Sequence, residues 1–123
     1  MYRFEFDEDR RLVTATLEGF WAPETVAAYR AELFALFRRI GALDGFVRFL
    51  ARGAAMHVQS PETSAAFGKF TIELVECGRG PIAITAGSTL NKIQASRVLA
   101  HERIRVFVDE PEALDWLMAA AAE

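Results

Sequence analysis

Residues 2–41 read YRFEFDEDRRLVTATLEGFWAPETVAAYRAELFALFRRIG, and this stretch decides the fold. Apolar and polar side chains alternate over residues 2–6 and again over 11–18, and a period of two predicts two β-strands. The acidic run at 7–9 interrupts the alternation and predicts a polar turn. The two strands are therefore expected to form a hairpin.

A helix is predicted directly after the hairpin. Pro23 suits its first turn, because the N–H that proline lacks would have no partner there. Apolar side chains then recur at helical spacing as far as Ile40, and Gly41 is a candidate C-cap. Phe34 falls outside this apolar stripe and is expected to be an exposed aromatic.

The rest of the chain alternates short apolar runs with amphipathic stretches. Continuous apolar runs are typical of strands buried in parallel sheets, and Ser60-Pro61 is typical of a helix N-terminus. These criteria predict strands at 46–50, 81–85 and 105–108, helices at 61–77, 89–101 and from residue 110, and an irregular loop at 51–58. The predicted fold class is α/β, in the order β-β-α-β-α-β-α-β-α. One domain over 1–123 would hold a mixed five-stranded sheet covered by four helices, with the hairpin as its antiparallel edge.

Composition excludes several classes of function. The net charge of −3 and the pI near 5.4 argue against a nucleic-acid partner, which needs a clustered positive face. No apolar run approaches the roughly 20 residues of a transmembrane helix, and residues 1–5 lack the apolar region of a signal peptide. The single cysteine can form no internal disulfide. We therefore predict a cytoplasmic protein, with peripheral membrane contact left open.

The sequence contains no metal-ligand cluster, nucleophile elbow or glycine-rich phosphate loop, so we predict neither an enzymatic activity nor a bound cofactor or metal. His57 lies near Ser60, but nucleophilic catalysis also needs an orienting acid and an oxyanion hole, so a solvated loop histidine is favoured. His101 is expected at a helix end, where the dipole favours a cation. Arg48 and Arg52 could meet an acidic group, although solvated arginines are the simpler interpretation.

Four local motifs accompany this order of elements: EGFWAPE at 18–24, VQSPE at 58–62, Gly87-Ser88 opening the third helix, and RVF at 105–107. Together they resemble the STAS domain, which sulphate transporters and bacterial anti-anti-sigma factors share. They also resemble the SpoIIAA-like proteins, a group similar in fold to lipid-carrying CRAL-TRIO domains. The resemblance covers nearly the whole chain and implies a non-enzymatic regulatory or protein-interaction module.

In the anti-anti-sigma branch the second helix begins with Asp-Ser-Ser-Gly, and a partner kinase phosphorylates the serine before the glycine. That motif falls here on Gln59, Ser60, Pro61 and Glu62, so a proline occupies the phosphoacceptor position. The resemblance therefore implies a module that is not switched by phosphate. Ser60 is expected to cap the helix. Together with His57, these four residues form the candidate interaction or regulatory loop.

The SpoIIAA-like branch suggests an alternative function, because its members are associated with nonpolar ligands and membrane surfaces. Six aromatic side chains are candidates for a nonpolar cleft between the first two helices: Phe20, Trp21, Phe34, Phe37, Phe67 and Phe70. An aromatic stripe at helical spacing describes an ordinary core equally well. We expect Trp21 and Phe34 to be the two that the core does not need.

The partner is left open between an unidentified protein, a nonpolar small ligand and a second copy of the chain. A homodimer could form through the edge of the first strand, whose N–H and C=O groups invite pairing, or through an apolar helix face. Arg3, Glu5 and the acidic turn could equally block such pairing.

Overall fold

Five strands form one mixed sheet in the order β1-β2-β3-β4-β5. The computed structural model describes residues 1–43, 45–98 and 101–120, leaving aside the side chains of Gln94 and Val98. Its elements are β1 (Tyr2–Asp7), β2 (Leu12–Gly19), α1 (Pro23–Arg39), β3 (Arg48–Met56), α2 (Pro61–Cys77), β4 (Ile82–Thr85), α3 (Thr89–Val98), β5 (Ile104–Phe107) and α4 (Glu110–Ala119). Strands β1 and β2 are antiparallel, and the later pairs are parallel. The predicted order and fold class are confirmed.

Alternate residues of β3 and β4 face opposite layers of helices. Phe49 of β3 and Ile82 of β4 belong to the larger core, which α1 and α2 cover. Leu50 and Ala83, one position further along each strand, belong to a second core with Leu117 of α4. Asn91 and Ala95 of α3 line a pocket with Ile82 and with residues of α2, so α3 lies on the same face as α1 and α2. Among the described helices, α4 covers the other face.

Aromatic rings fill the larger core where β1, α1 and α2 meet. Tyr29 of α1 is 1% exposed, and its ring contacts those of Tyr2, Trp21 and Phe70 at centroid distances of 5.2–5.4 Å. Burial raises the pKa of Tyr29 well above its ordinary range. The expectation that the core does not need Trp21 was wrong, because this side chain is 1% exposed.

Three arginines bind backbone carbonyls at or just beyond the carboxyl ends of helices. Arg11 donates to Ile40 O at 3.1 Å beyond α1, and Arg103 donates to Val75 O and Gly78 O at the end of α2. The third is Arg48, which donates to Leu117 O at 2.9 Å and to Ala120 O at 2.7 Å. A helix leaves its last four carbonyls without partners, and a cation there also suits the helix dipole. The guanidinium groups therefore tie each helix end to a neighbouring strand or loop.

Two predicted element boundaries were wrong. Strand β3 continues to Met56, through residues predicted as an irregular loop, because this segment pairs with β2 as far as Gly19. Helix α3 is described over Thr89–Val98 and does not include residue 101, the predicted end; residues 99–100 lie outside the described part of the chain. His101 instead forms an isolated antiparallel bridge with Ile104, so the role predicted for it at a helix end was also wrong.

At two positions the backbone requires glycine, one because of its dihedral angle and one because of a close approach. Gly41 adopts φ +70°, the left-handed conformation of a glycine that ends a helix, and it directly follows Ile40, the C-cap of α1. Gly80 lies so close to the neighbouring chain that an added Cβ would be 1.8 Å from Val47 O. Only a residue without a side chain fits that approach.

We predict that Gly80→Ala lowers the free energy of unfolding by more than about 3 kcal/mol, since a backbone segment must move to admit the methyl group. Gly78→Ala is the matched control, because an added Cβ there would meet nothing closer than 3.9 Å. The control is expected to change stability by less than about 1 kcal/mol. Urea unfolding followed by far-ultraviolet circular dichroism measures both, and equal losses would contradict the backbone contact.

Candidate functional site

Two loops at the carboxyl ends of β2 and β3 are joined by hydrogen bonds. The side chain of Gln59 accepts from Trp21 N–H at 2.7 Å and donates to Gly19 O at 3.0 Å. The same amide donates to His57 O, and His57 N–H donates to Gly19 O at 3.0 Å. We call residues 19–22 and 57–60 the loop platform. Its conformation is fixed by neutral hydrogen bonds that link segments about 40 residues apart in sequence.

Ser60 caps α2, as predicted. Its hydroxyl oxygen accepts from Thr63 N–H at 3.2 Å and its hydroxyl donates to Thr63 Oγ1 at 3.1 Å. The fully buried Thr63 hydroxyl in turn donates to Trp21 O at 2.8 Å. Pro61 occupies the first turn of the helix. The Ser60 hydroxyl is therefore part of the network that joins the two loops.

The structure places the other candidate loop residues at the surface around this network. The side chains of His57 and Glu62 are exposed, and Gln59 is half-buried at the centre of the hydrogen bonds. Sequence reasoning selected Gln59 as a position in a motif and missed its role as the link between the loops.

Two large apolar side chains project from the loop platform. Phe20 is 64% exposed and Val58 is 85% exposed. The exposed carboxylates of Glu18, Glu24 and Glu62 lie at the same edge of the sheet, at the end of β2 and in the first turns of α1 and α2. The edge therefore presents apolar groups among negative charges.

A half-open pocket of about 380 Å³ lies between α2 and α3, above the carboxyl ends of β3 and β4. We call it the α2–α3 pocket. Its walls are mainly apolar and include Met56, Phe67, Phe70, Leu74, Ile82 and Ile84. Polar side chains from His57, Gln59, Ser64 and Asn91 also line it. Pockets of this size and character suit small ligands with an apolar body and a polar end.

Gly68 lines the α2–α3 pocket in the middle of α2. Glycine inside a helix costs about 0.5–1 kcal/mol relative to alanine. No close packing requires it here, because a Cβ added to Gly68 would meet nothing within 4 Å. The missing side chain leaves open space on the pocket side of the helix.

The predicted cleft between α1 and α2 is absent from the described structure, because these helices pack against each other. Arg30 donates hydrogen bonds to both carboxylate oxygens of Glu73 across the contact, at 2.5–3.1 Å, and holds the pKa of that carboxyl below its ordinary value. Phe34 is half-buried against Phe70 rather than exposed, with the Arg30 guanidinium over its ring.

The six candidate aromatics consequently separate into different environments. Trp21 and Phe37 are core residues with 1% exposure, Phe34 fills the contact between the helices, and Phe20 stands in solvent. Phe67 and Phe70 line a pocket, but it opens between α2 and α3 rather than between α1 and α2, and Tyr29 is the residue of α1 that reaches it.

Other candidate groups have structural partners. Arg48 binds the carbonyls at the end of α4, and Arg52 forms an ion pair with Glu110 at 2.7 Å, so neither is a freely solvated arginine. Within residues 1–43, 45–98 and 101–120, no group of three or more His, Cys, Asp or Glu side chains could hold a metal ion.

A larger hollow of about 630 Å³ lies at the opposite end of the sheet, beside Phe46, Pro81 and Trp116. The guanidinium of Arg103 on its wall is engaged with backbone carbonyls. Open α/β sheets bind ligands at the carboxyl ends of their strands, which favours the α2–α3 pocket despite its smaller volume.

The fold is SpoIIAA-like. The chain is similar in structure to a protein of the DUF3478 family with a SpoIIAA-like fold from Shewanella loihica PV-4, with 18% identity and a TM-score of 0.70 over 95% of this chain and 92% of that one. It is also similar to the anti-sigma factor antagonist SpoIIAA in its unphosphorylated form, with 16% identity and a TM-score of 0.60 over 98% of this chain and all of that one. No protein-family model and no curated protein matches the sequence.

Among the helices in the described part of the chain, none has the length and apolar character needed to cross a membrane.

We predict that Ser60→Ala lowers the free energy of unfolding by about 1 kcal/mol, because Thr63 N–H loses its acceptor. Ser60→Asp should cost only a few tenths of a kcal/mol, since aspartate caps helices about as well as serine. Ser64→Ala, at an exposed position in the next turn, is the control for a change of surface hydroxyl. Urea unfolding of the three variants tests this; an unchanged Ser60→Ala protein would show that the hydroxyl is not committed to the cap.

Proposed function

We propose that this protein is a non-enzymatic regulatory module that binds a protein partner through its loop platform, without a phosphate switch at the start of α2. The observation that carries the proposal is the exposed Phe20 side chain on a loop that Gln59 holds in place. The SpoIIAA-like fold supports a regulatory role, because one similar structure is that of an anti-sigma factor antagonist. Pro61 supports the absence of a phosphate switch, since proline has no hydroxyl group.

A preformed platform favours binding energetically. A loop whose backbone is already held in place loses little conformational freedom on association, and buried aromatics supply much of the binding energy of protein interfaces. Phe20 and Val58 supply the apolar part of the contact. The carboxylates around them favour a partner with an apolar cleft and basic residues at its rim.

Site-specific photo-crosslinking identifies the partner. The protein is produced in its host with p-benzoylphenylalanine in place of Phe20, and a second sample carries the same group in place of Ile72, which is 62% exposed on α2. A protein crosslinked from position 20 and not from position 72 is the expected partner. Crosslinks of equal yield from both positions would contradict a specific surface.

We predict that Phe20→Ser weakens binding of the purified partner by about 30-fold, the effect of removing one interface hot spot, whereas Ile72→Ser leaves the affinity unchanged. Titration calorimetry measures both affinities, and added salt should weaken the wild-type complex because of the acidic rim. Equal affinities of Phe20→Ser and wild type for the partner would show that the loop platform is not the binding surface.

A second candidate function is binding of a nonpolar small ligand, and the α2–α3 pocket is the observation that favours it. Its apolar walls and its polar side chains match a ligand with an acyl or aromatic body and one polar end. The space beside Gly68 supports this function, because a side chain at that position would occupy the pocket.

We predict that Gly68→Ala raises the free energy of unfolding by about 0.5–1 kcal/mol, because alanine is favoured over glycine inside helices.

Gly68→Leu should fill the pocket and abolish binding of a fluorescent fatty acid such as 11-(dansylamino)undecanoic acid, which the wild-type protein should bind. Ile72→Ala, on the exposed side of α2, is the control and should bind the probe like wild type. Equal probe binding by Gly68→Leu and wild type would place the ligand elsewhere.

A further inference from the structure

Strand β1 forms an outer edge of the sheet and pairs with β2 on one side. Met1 and Glu18 exchange two backbone hydrogen bonds, at 3.0 and 3.2 Å. Hydrogen-bonded and non-bonded pairs alternate along antiparallel strands, so Arg3 and Glu5 also direct their backbone groups towards β2. The N–H and C=O groups of Tyr2, Phe4 and Phe6 consequently point out of the sheet.

The side chains of β1 separate in the same alternation. Tyr2, Phe4 and Phe6 are half-buried on the face that α1 covers. Arg3 and Glu5 stand on the opposite face, with side chains 67% and 62% exposed and 3.7 Å between their charged atoms. The exposed face of the edge therefore carries one cation and one anion, placed symmetrically about Phe4.

This symmetry is self-complementary. If two β1 strands pair antiparallel about a two-fold axis at Phe4, residue n lies opposite residue 8 − n of the second copy. Phe4 then exchanges hydrogen bonds with its own copy, and Tyr2 with Phe6, so all three outward-pointing residues are paired. Arg3 lies opposite Glu5 at both non-bonded positions, where side chains are closest.

The neighbouring symmetric registers lack this match. An axis at Arg3 places two arginines opposite each other. An axis at Glu5 places two glutamates opposite each other, and although it also brings Arg3 opposite Asp7, that carboxylate is already paired with Arg10 at 2.7 Å. Like charges directly opposite across strands are destabilising. Charge complementarity therefore selects the register centred on Phe4.

A shallow groove beside the edge extends the contact area. It has a volume of about 240 Å³ and lies between β1 and α1, lined by Phe4, Phe6, Glu32, Leu36 and Arg39 among others. The small side chain of Ala35 also lines this groove and allows close approach. Its charged groups are of both signs, so two copies can face each other there without contacts between like charges only.

We propose that two copies of this chain associate through β1, antiparallel and with Phe4 on the two-fold axis, to form one continuous ten-stranded sheet. The partner at this surface is thus the protein itself. The inference rests on the edge strand and is independent of the function proposed for the loop platform, so either can fail without the other.

Charge reversal tests the pairing by sedimentation equilibrium. Arg3→Glu and Glu5→Arg each place like charges opposite each other twice, and each should raise the dissociation constant of the dimer on the order of tenfold. The double variant Arg3→Glu/Glu5→Arg restores both opposite-charge pairs and should dimerise like wild type. An equimolar mixture of the two single variants should form a heterodimer, because one copy then carries two anions and the other two cations.

The control is Arg97→Glu, the same charge change at an exposed position on α3. A wild-type protein that stays monomeric at all concentrations tested overturns the proposal. So does a dimer that Arg3→Glu and Arg97→Glu weaken equally, because the contact then lies elsewhere.

Disulfide crosslinking tests the register independently. In a Cys77→Ser background, Arg3→Cys and Glu5→Cys are mixed and oxidised, and intact mass spectrometry counts the dimers. Residues 3 and 5 of two copies would lie at about 4.5 Å between Cα atoms, within disulfide range. Mixed 3–5 dimers should therefore dominate, and an excess of 3–3 or 5–5 dimers would overturn the register.

Discussion

The handedness of the connections between parallel strands determines on which face of the sheet the first three helices lie, and the position of the candidate pocket depends on it. The strands lie in the sheet in chain order, so each parallel crossover advances in the same direction. Such connections are right-handed in nearly all proteins, which places α1, α2 and α3 on one face. Helices α1 and α2 share a packed interface, and α3 lies beside β5 at the far edge. The space left between α2 and α3 is the α2–α3 pocket, so the candidate ligand site follows from the topology.

The sequence predicts what depends on local pattern. The hairpin, the four helices and the Ser60 cap follow from periodicity and from the chemistry of helix ends. The continuation of β3 to Met56 does not, because the segment ARGAAM has no alternation and is made a strand by pairing with β2. The prediction that the core does not need Trp21 failed for a related reason. Trp21 follows β2 and belongs to no apolar periodicity, yet Tyr29 of α1 and Phe67 of α2 pack against it.

Long-range polar contacts were beyond prediction. Arg48 binds a carbonyl 69 residues away, and Gln59 joins two loops about 40 residues apart. A backbone carbonyl carries no signal in the sequence that would identify its partner. The pocket escaped prediction as well, because it depends on the spacing between two helices. Gly68 was the available signal, since glycine within an otherwise regular helix needs a reason in packing or function.

The two loops of the platform are joined through uncharged groups. The contacts that join its loops involve an amide, two hydroxyl groups and backbone atoms. The contacts between the two loops are therefore hydrogen bonds between neutral groups rather than ion pairs.

Helix α4 has a further consequence for how the chain is made. Among the described elements it is the helix that covers the second face of the sheet, over Leu12, Leu50 and Ala83, and it is the last of them in the chain. During synthesis from the amino terminus, the strands and the first three helices leave the ribosome before α4 does. Each strand pairs with the one just made, so the sheet can assemble while one apolar face is still open. The nascent chain therefore exposes this apolar face until residues 110–119 follow and cover it. Exposed apolar surface favours aggregation, so the length of that interval matters for folding.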